Sequence, residues 1–285
     1  MLSVLIVNWN TRALLSACLE SLRRFPPKCP MEVIVVDNAS GDGSAEMVRD
    51  AFPEVRLIAS DRNLGYAAGN NAAFAAASGD WLLTLNPDTE VFESTLDTAC
   101  ETLARSPKVG VLGARQIGTD GMTQRSIRGF PTLVGFFGAS TGLDRLFPNS
   151  PLGAYRLPNF DYEREQLAPQ PMGTFLLFRR EALVAVGDVT HPFDEQFPIF
   201  FNEVDLLFRL KQARWDCLYA PGVQIRHHGG ESTKQVRKNM IWESHRSLVR
   251  YLRKHRPGLL LPIWSLLIYA SAFIRARGVY AGFRS

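Results

Sequence analysis

Short apolar runs alternate with helix-like segments through the first 90 residues, and this alternation constrains the fold more than any other feature. Four runs are rich in Val, Ile and Leu and are bounded by polar turns, as is typical of buried parallel strands: residues 2–7, 32–36, 55–59 and 81–85. Three segments between them have helical spacing or are rich in alanine: residues 11–24, 44–51 and 70–77. This order predicts an α/β fold with a Rossmann-like, doubly wound and mostly parallel sheet.

The rest of the chain has a less regular pattern. Further strands are predicted at residues 109–114, 174–178, 216–219 and 223–226. Further helices are predicted at residues 96–105, 181–186, 204–213 and 236–255. Residues 118–167 contain scattered Gly, Pro and aromatic residues and are predicted to be loop-rich.

Composition and cysteine spacing exclude several classes of protein. The 285 residues are 46% hydrophobic and 21% charged, which is typical of a folded globular chain and not of a disordered or coiled-coil protein. The four cysteines lie far apart without a CxxC pair, which argues against a zinc ribbon or a disulfide scaffold. Met1 leads directly into a strand with no signal-peptide pattern. We therefore expect a cytoplasmic location.

Positive charge is concentrated at the C-terminal end. Residues 226–285 contain twelve Lys or Arg and two Glu, a net charge of +10, whereas residues 1–225 have a net charge of −6. Such a basic segment predicts a polyanionic partner: anionic lipid, nucleic acid or a phosphorylated substrate. Nucleic acid is disfavoured because the basic stretch adjoins seventeen uncharged residues and no recognised nucleic-acid module.

The uncharged stretch, residues 258–274, leaves three alternatives open. A membrane-surface or re-entrant segment is favoured, because basic residues flank the stretch on both sides. The second alternative is a buried helix that packs within the chain or in a homodimer. The third is a spanning helix, although a span needs about 20 apolar residues.

Polar loops follow the predicted strands at the edge of the sheet where open α/β proteins bind ligands. They are rich in Asp and Asn: residues 8–10, 37–40, 61–71 and 86–88. None carries GxGxxG or GxxxxGK[ST], which argues against a dinucleotide oxidoreductase and a P-loop NTPase.

Two aspartates in these loops each allow a structural and a functional interpretation. Asp37 could accept a hydrogen bond from a base or a ribose, or it could close an Asx turn with Ser40. Asp88 follows Pro87, whose fixed φ stiffens the turn. This aspartate could bind Mg²⁺ or Mn²⁺, or it could simply belong to an Asn-Pro-Asp turn.

Acids and histidines in the second half of the chain are further candidates. Glu203 and Asp205 open a predicted helix, where acids are favoured by the helix dipole. An acid there that faces an apolar cleft would have a raised pKa and could act as a general base. His227 and His228 lie on a glycine-bounded turn from which a histidine could reach a metal.

The order of these pieces resembles that of the inverting family 2 glycosyltransferases with the GT-A fold, and most closely their rhamnosyltransferase-like branch. The matching stretches cover residues 3 to 233: SVLIVNWN, VIVVDNASGDGS, DRNLGYAAGNN, GDWLLTLNPDTE, MGTFLLFRREAL, FDEQFPIFFNEVDLLFRL and HHGGEST. The resemblance implies a GT-A catalytic domain over residues 1–232, with a nucleotide-sugar-binding half (1–115) and an acceptor-binding half (116–232). A basic helix and an apolar membrane-associating tail would follow at residues 233–285.

The resemblance also assigns roles to residues. The substrate-binding candidates are Asn8, Trp9 and Asn10 in the nucleotide pocket, Asp37 at the pyrimidine base, Asn63, Gly65 and Asn70 near the ribose and diphosphate, Asn86, and Gly173 in the MGTFLLFRREAL stretch. Asn86-Pro87-Asp88 stands where the family has its metal motif, so Asp88 would bind Mg²⁺ or Mn²⁺ together with His227, or with the adjacent His228. Glu203 aligns with the catalytic base, and Asp205 is the alternative.

The implied activity is metal-dependent, inverting transfer of a sugar from a nucleotide sugar to a glycan or polyprenyl-diphosphate-linked acceptor in bacterial cell-surface polysaccharide synthesis. The expected donor is dTDP-rhamnose. One alternative is the same fold with UDP-GlcNAc, UDP-Gal or another donor, and the other is a non-catalytic nucleotide-sugar-binding scaffold. The basic tail would place the enzyme on the anionic inner face of the plasma membrane.

Overall fold

A computed structural model describes residues 1–229 and 237–280, and within them a central sheet of nine strands carries the fold. The strands of this sheet are β1 (Leu2–Asn8), β2 (Met31–Asp37), β3 (Arg56–Ala59), β4 (Trp81–Leu85), β5 (Thr89–Val91), β6 (Val109–Ile117), β8 (Gln166–Leu167), β10 (Phe175–Arg179) and β11 (Asp216–His227). Strands β7 (Ile127–Arg128) and β9 (Gln170–Pro171) form a separate antiparallel pair.

The strand order is β3-β2-β1-β4-β10-β6-β11-β5, and β8 pairs with β11. Strands β1 to β4, β6 and β11 share one direction, whereas β10, β5 and β8 run against them. The carboxyl ends of β1 and β4 therefore meet at one edge, and the loops after them converge there.

Helices cover both faces of the sheet, which confirms the predicted doubly wound, mostly parallel α/β fold. The helices are α1 (Arg12–Arg24), α2 (Ser44–Ala51), α3 (Tyr66–Ala76), α4 (Thr95–Ala104), α5 (Leu133–Thr141), α6 (Leu143–Leu146), α7 (Arg180–Val184), α8 (Asn202–Gln212), α9 (Arg237–His255) and α10 (Leu261–Tyr280). Buried side chains of α1, α2 and α4 pack on one face, and those of α3, α7 and α8 pack on the other.

Helix α3 begins four residues earlier than predicted, because of a contact that is distant in sequence. Its first two N–H groups, on Tyr66 and Ala67, donate to the carbonyl oxygen of Pro198 at 2.6 and 3.1 Å. Gly65 precedes the helix with a φ of +83°, and a Cβ there would lie 2.9 Å from the same oxygen. Glycine is required because it alone combines this left-handed backbone with so close an approach.

Two other differences from prediction lie in the second half of the chain. Residues 118–167 were expected to be loop-rich, but they include helix α5, whose N-terminus is capped by the Thr132 hydroxyl at 3.0 Å from Gly135 N. The two short strands predicted at 216–219 and 223–226 form the single strand β11, with a shift in register between Ala220 and Gln224.

Helices α9 and α10 pack against α8 and its surroundings. Leu248, Val249, Tyr251 and Leu252 of α9 share a buried cluster with Val204 and Phe208 of α8. Helix α10 buries one stripe of side chains: Leu261, Ser265, Ile268, Ala272 and Ala276. Across residues 1–229 and 237–280, no helix combines the length and apolar character that crossing a bilayer requires. The predicted boundary between residues 232 and 233 lies outside the described residues.

Candidate functional site

A cavity lies at the carboxyl ends of β1 and β4, between the start of α3 and the start of α8. Eight of the residues predicted from sequence line it: Asn8, Trp9, Asn63, Gly65, Asn86, Asp88, Gly173 and Glu203. The remaining wall comes from residues that the sequence did not single out as site residues: Val7, Asn38, Tyr66, Pro87, Met172, Thr174, Ile199 and Phe200. Polar side chains from several loops thus converge on one space, as a ligand with many hydrogen-bonding groups requires.

Asp37 and Asn10 do not belong to this lining. The Asp37 carboxylate is 2% exposed and accepts hydrogen bonds from Asn8 Nδ2 and from Ser40 N, each at 2.9 Å. It therefore makes the Asx-type turn with Ser40 and also orients Asn8, which does line the cavity. Asn10 has a φ of +52°, and its Oδ1 accepts from Gly41 N at 2.8 Å.

Asn70 also does not belong to the lining. Its Nδ2 donates to the carbonyl oxygen of Tyr66 at 2.9 Å, one turn back along α3. Its Oδ1 is buried and accepts no hydrogen bond from the described residues. Asn70 therefore packs within the first turns of α3. A contact between Asn70 and the nucleotide sugar stays a prediction.

Tyr66 is a site residue that sequence reasoning missed. Its hydroxyl donates to Asn86 Oδ1 at 3.0 Å and lies 3.3 Å from the carbonyl oxygen of Gly173. Burial, and then the charges of Glu203 and Asp88, raise the pKa of the phenol, so it stays protonated and can donate. A tyrosine directly after a helix-starting glycine at the sheet edge is the signal that could have identified it.

The Asn-Pro-Asp turn is held rigidly at the end of β4. Asn86 N donates to the carbonyl oxygen of Thr174 at 3.0 Å, and its own carbonyl oxygen accepts from Thr89 Oγ1 at 2.7 Å. Pro87 lines the cavity between them. The turn therefore holds the Asp88 carboxylate, which is 6% exposed, at a defined position in the cavity wall.

His227 lies beside Asp88 in a geometry that suits metal binding. Gln124 Nε2 donates to the backbone carbonyl of His227 at 3.1 Å, which leaves Gln124 Oε1 to accept from His227 Nδ1 at 2.7 Å. Nδ1 is engaged by this contact, so Nε2 is the ring nitrogen that faces Asp88, whose Oδ2 lies 3.6 Å away. A cation between these two side chains would be held by the Asp88 carboxylate and by Nε2 of His227, and the Gln124 contact would orient the ring as hydrogen-bond partners orient metal-binding histidines.

His228 faces elsewhere, although it was the alternative ligand. Its Nε2 lies 2.8 Å from Glu90 Oε1, and only its backbone N–H reaches Asp88, through the carbonyl oxygen. In the described ranges, no group of three or more His, Cys, Asp or Glu side chains is arranged to hold an ion. Asp88 and His227 fit a site in which phosphate oxygens and water complete the coordination of a hard cation.

Glu203 projects into the cavity from the first turn of α8. The residue just before α8, Phe201, has a φ of +66°, which is unusual for a bulky side chain and turns the chain sharply before the helix. The Asn202 side chain holds this turn by accepting from Glu203 N at 2.7 Å and donating to the Ile199 carbonyl at 2.8 Å. Burial raises the pKa of the Glu203 carboxyl to about 7, which suits a general base at neutral pH.

The structure does not bring Asp205 to the cavity. Its carboxylate is fully buried on the other side of α8, where Oδ2 accepts from Arg209 Nε at 2.8 Å and Oδ1 lies 2.7 Å from both Lys254 Nζ and His255 Nε2. Burial alone would raise its pKa, but the hydrogen bond from Lys254 and the charge of Arg209 lower it. The geometry separates the two acids that the sequence left as alternatives, and it places Glu203 alone at the cavity.

Asp205→Asn should destabilise the fold by about 1.5–3 kcal/mol at pH 7, because it removes charged hydrogen bonds to Arg209 and Lys254, whose side chains are 22% and 37% exposed. The free energy of unfolding, measured by urea denaturation, would show the loss. Because the folded-state pKa of Asp205 is lowered, its contribution is present above the unfolded-state pKa of about 3.9 and is lost as the pH falls through the folded-state value. The exposed Asp188→Asn is the control, and equal midpoints for Asp205→Asn and wild type would contradict the prediction.

Known proteins resemble this chain along most of its length. A family model described as glycosyl transferase family 2 matches residues 3–187, which include Asp37 and Asp88 and end before Glu203. An N-acetylglucosaminyl-diphospho-decaprenol L-rhamnosyltransferase of Mycobacterium tuberculosis is 29% identical over 245 residues, 80% of this chain and 76% of that protein. The O-antigen biosynthesis protein RfbC of Myxococcus xanthus is 25% identical over 205 residues, 71% of this chain and 15% of that protein.

Solved structures share the fold. A mannosyltransferase from Pyrobaculum calidifontis, in complex with GDP-Man and Mn²⁺, superposes with a TM-score of 0.61 at 18% identity and covers 100% of this chain and 76% of its own. S. aureus TarS 1–349 in complex with UDP superposes with a TM-score of 0.53 at 18% identity and covers 91% of this chain and 72% of its own.

Proposed function

The chain belongs to glycosyl transferase family 2 and is a glycosyltransferase with a GT-A fold, and from this premise we propose that it inverts the sugar it transfers and depends on a divalent metal. The observation that carries the proposal is that Asp88 and Glu203 line one cavity. Tyr66 lines the same cavity, and the charges of both acids raise the pKa of its phenol. A single displacement needs this arrangement, with a group for the leaving diphosphate and a base for the incoming hydroxyl.

Each residue has a defined task in this proposal. Glu203 accepts the proton of the acceptor hydroxyl as the oxygen attacks C1 of the donor sugar from the face opposite the diphosphate. Tyr66 and the Asn-Pro-Asp turn hold the wall of the cavity in place. Such acid–base assistance contributes roughly 10²–10⁴-fold, so stabilisation of the leaving group must supply much of the remaining acceleration.

Asp88 and His227 are the residues that would hold Mg²⁺ or Mn²⁺. A bound cation would neutralise negative charge on the diphosphate as it leaves. Gln124 supports the site by engaging Nδ1 of His227, which leaves Nε2 able to bind. The Mn²⁺ in the mannosyltransferase complex is consistent with this assignment, although that protein shares only the fold.

We propose dTDP-L-rhamnose as the donor and a lipid-diphosphate-linked sugar as the acceptor in cell-surface polysaccharide synthesis. The name of the mycobacterial relative supports both, since it denotes transfer of L-rhamnose to N-acetylglucosaminyl-diphospho-decaprenol. UDP-GlcNAc or UDP-Gal remains the alternative donor, because proteins with this fold are solved with either GDP-Man or UDP. A non-catalytic scaffold would bind the same donor without turning it over.

Product formation by the purified chain tests the function. We expect transfer from dTDP-rhamnose to lipid-diphosphate-linked GlcNAc in the presence of Mn²⁺ or Mg²⁺, and less or none from UDP-GlcNAc, UDP-Gal and GDP-Man. A ligand present at 100 times its Kd adds about 2.7 kcal/mol of stability, so a metal-dependent rise in Tm identifies the donor independently of turnover. Donor binding without transfer or hydrolysis would support the scaffold and contradict the enzyme.

The exposed face of α10 supports peripheral binding to an anionic membrane, which we propose lies at the inner face of the plasma membrane. Large apolar side chains project from this helix into solvent: Ile263, Leu266, Leu267, Phe273 and Ile274. Residues 237–280 contain nine Lys or Arg and a single acid, Glu243. Each basic residue near an anionic surface contributes about 1 kcal/mol, so the charge and the apolar face act together.

Leu266→Glu combined with Ile274→Glu should abolish sedimentation with vesicles that contain anionic lipid. The two side chains are 70% and 69% exposed, so the fold should be retained. Leu167→Glu combined with Val184→Glu is the matched control, since these side chains are each 59% exposed but lie outside α10. If the α10 variant still sediments like wild type, or the control variant loses binding equally, α10 is not the membrane contact.

A further inference from the structure

The small sheet formed by β7 and β9 has one face packed on the protein and one face directed toward the cavity. Ile127 lies opposite Pro171 in the pairing register; Ile127 is fully buried, and Pro171 packs so closely on β6 that a Cβ on Gly113 would lie 2.5 Å from it. Side chains alternate along a strand, so Arg128 and its partner Gln170 project to the opposite face.

Residues that flank this pair extend the same face to the cavity. Met172 N donates to the Ser126 carbonyl at 2.9 Å, so the ladder continues by one step and places Ser126 and Met172 on the face of Arg128 and Gln170. Met172 lines the cavity, and a Cβ on the next residue, Gly173, would lie 3.4 Å from Glu203 Cγ. The face therefore adjoins the cavity on the side of the base.

Two polar atoms on this face lack partners. Ser126 Oγ and Gln170 Oε1 are both buried and make no hydrogen bond to the described residues. A buried polar atom without a partner costs about 1–3 kcal/mol, and native structures keep few of them. Such a pair of atoms, on a face that adjoins the cavity at Met172, points to a polar subsite whose ligand would supply the missing contacts.

Arg128 provides positive charge at the same place. Its Nη1 donates to the carbonyl oxygens of Arg125 and Ile127, both at 2.9 Å, and no carboxylate in the described ranges forms an ion pair with it. Tyr155 is fixed next to it by a hydrogen bond from Gly129 N to the Tyr155 carbonyl at 2.8 Å. Burial raises the pKa of the Tyr155 phenol, whereas the positive charge of Arg128 lowers it.

An apolar route leads from this group to the exposed face of α10. The Tyr155 ring contacts Phe136 of α5, with centroids 6.4 Å apart, and the next residue, Phe137, contacts Trp264 of α10 at the same centroid distance. Val134 and Phe137 are 49% and 42% exposed. A long apolar chain attached to an anion at Arg128 could therefore pass over α5 to α10 without leaving an apolar surface.

We propose that this face is the acceptor subsite and that Arg128 binds the diphosphate of a lipid-diphosphate-linked sugar, with Tyr155 beside the sugar whose hydroxyl meets Glu203. A guanidinium binds phosphate oxygens through paired, charge-assisted hydrogen bonds, which a neutral glycan would not require. The inference rests on the proposed function and adds to it the residues that select an anionic, lipid-linked acceptor.

The test compares two acceptors with the same terminal sugar, a lipid-diphosphate-linked GlcNAc and the neutral octyl glycoside. We expect Arg128→Gln to raise KM for the diphosphate acceptor by about 10–100-fold, in line with the loss of charged hydrogen bonds worth 1.5–3 kcal/mol, and to leave KM for the glycoside unchanged. Arg128→Lys should restore part of the affinity, because it keeps the charge. Arg164 is an exposed arginine in the same half of the chain, and Arg164→Gln should change the KM for neither acceptor.

The outcomes separate the subsite from the function. Two results for Arg128→Gln would overturn the subsite and leave the proposed transfer intact. The first is an unchanged KM for the diphosphate acceptor. The second is an equal rise in KM for both acceptors that Arg128→Lys does not relieve. If wild type transfers sugar to neither acceptor, the proposed function itself fails, and the subsite fails with it. A KM effect confined to the diphosphate acceptor, with unchanged donor hydrolysis, supports both.

Discussion

Glu203→Gln should lower the kcat of sugar transfer by about 10²–10⁴-fold while donor binding stays close to wild type. The amide keeps the shape and the hydrogen bonding of the side chain but cannot accept a proton from the acceptor. Acceptor-dependent transfer must be measured, since donor hydrolysis uses water and can proceed without the same base. Glu181→Gln, at an exposed acid in the first turn of α7, should retain full activity. Normal transfer by Glu203→Gln would remove Glu203 from the base role.

The raised pKa of Glu203 adds a pH dependence of activity and of stability to this prediction. Since the base acts in its ionised form and its pKa is about 7, kcat/KM for the acceptor should rise with pH through about 7 in wild type. Stability should change in the opposite direction. Between the unfolded-state pKa of about 4.3 and the folded-state value, the folded chain holds a proton that the unfolded chain has lost, so stability falls as the pH rises through this window. Glu203→Gln should therefore be more stable than wild type at pH 8 but not at pH 4, and identical pH dependences would contradict the burial of this carboxyl.

Asp88→Ala should abolish the metal-dependent part of donor binding and lower turnover by more than about 100-fold, because it removes the carboxylate of the proposed metal pair. The fold should persist, since the turn is held by the backbone contacts of Asn86 and by Thr89. The measurement is the rise in Tm that Mn²⁺ produces in the presence of dTDP, UDP or GDP, compared with EDTA.

Glu90→Ala is the matched control for this experiment. Glu90 is the next acid along the chain and pairs with His228, not with His227. We expect its variant to retain the Mn²⁺-dependent rise in Tm. If Asp88→Ala responds to Mn²⁺ like wild type, or if both variants lose the response to the same extent, the assignment of Asp88 as the metal carboxylate is wrong.

Sequence alone predicted the half of the fold whose elements are specified locally. The apolar runs that became β1, β2 and β4 are flanked by polar turns, and helix α2 lies at the predicted residues 44–51. Residues that depend on distant parts of the chain were harder to predict. Helix α3 begins at Tyr66 because the carbonyl of Pro198, more than 130 positions away, receives its first N–H groups.

The candidate site shows the same division. Asp88 and Asn86 were predicted through the family resemblance, because the Asn-Pro-Asp turn alone allowed both a metal-binding and a purely structural interpretation. Glu203 and Asp205 could not be separated, because two acids in the first turn of a helix have the same local pattern. Tertiary contacts separate the two acids, because α9 supplies Lys254 and His255 to one face of α8 and the cavity lies at the other face.

The Asp205 ion pairs have a geometric consequence for substrate selection. They join α8, which begins with the base, to the C-terminal end of α9, and α10 follows only six residues after His255. With α10 resting on the lipid as proposed, the carboxylate of Glu203 is kept at a set height above the bilayer, and only acceptor hydroxyls at that height can be deprotonated. The enzyme would thus select acceptors by glycan length. It would accept a glycan of one length and reject the same glycan extended by a further sugar.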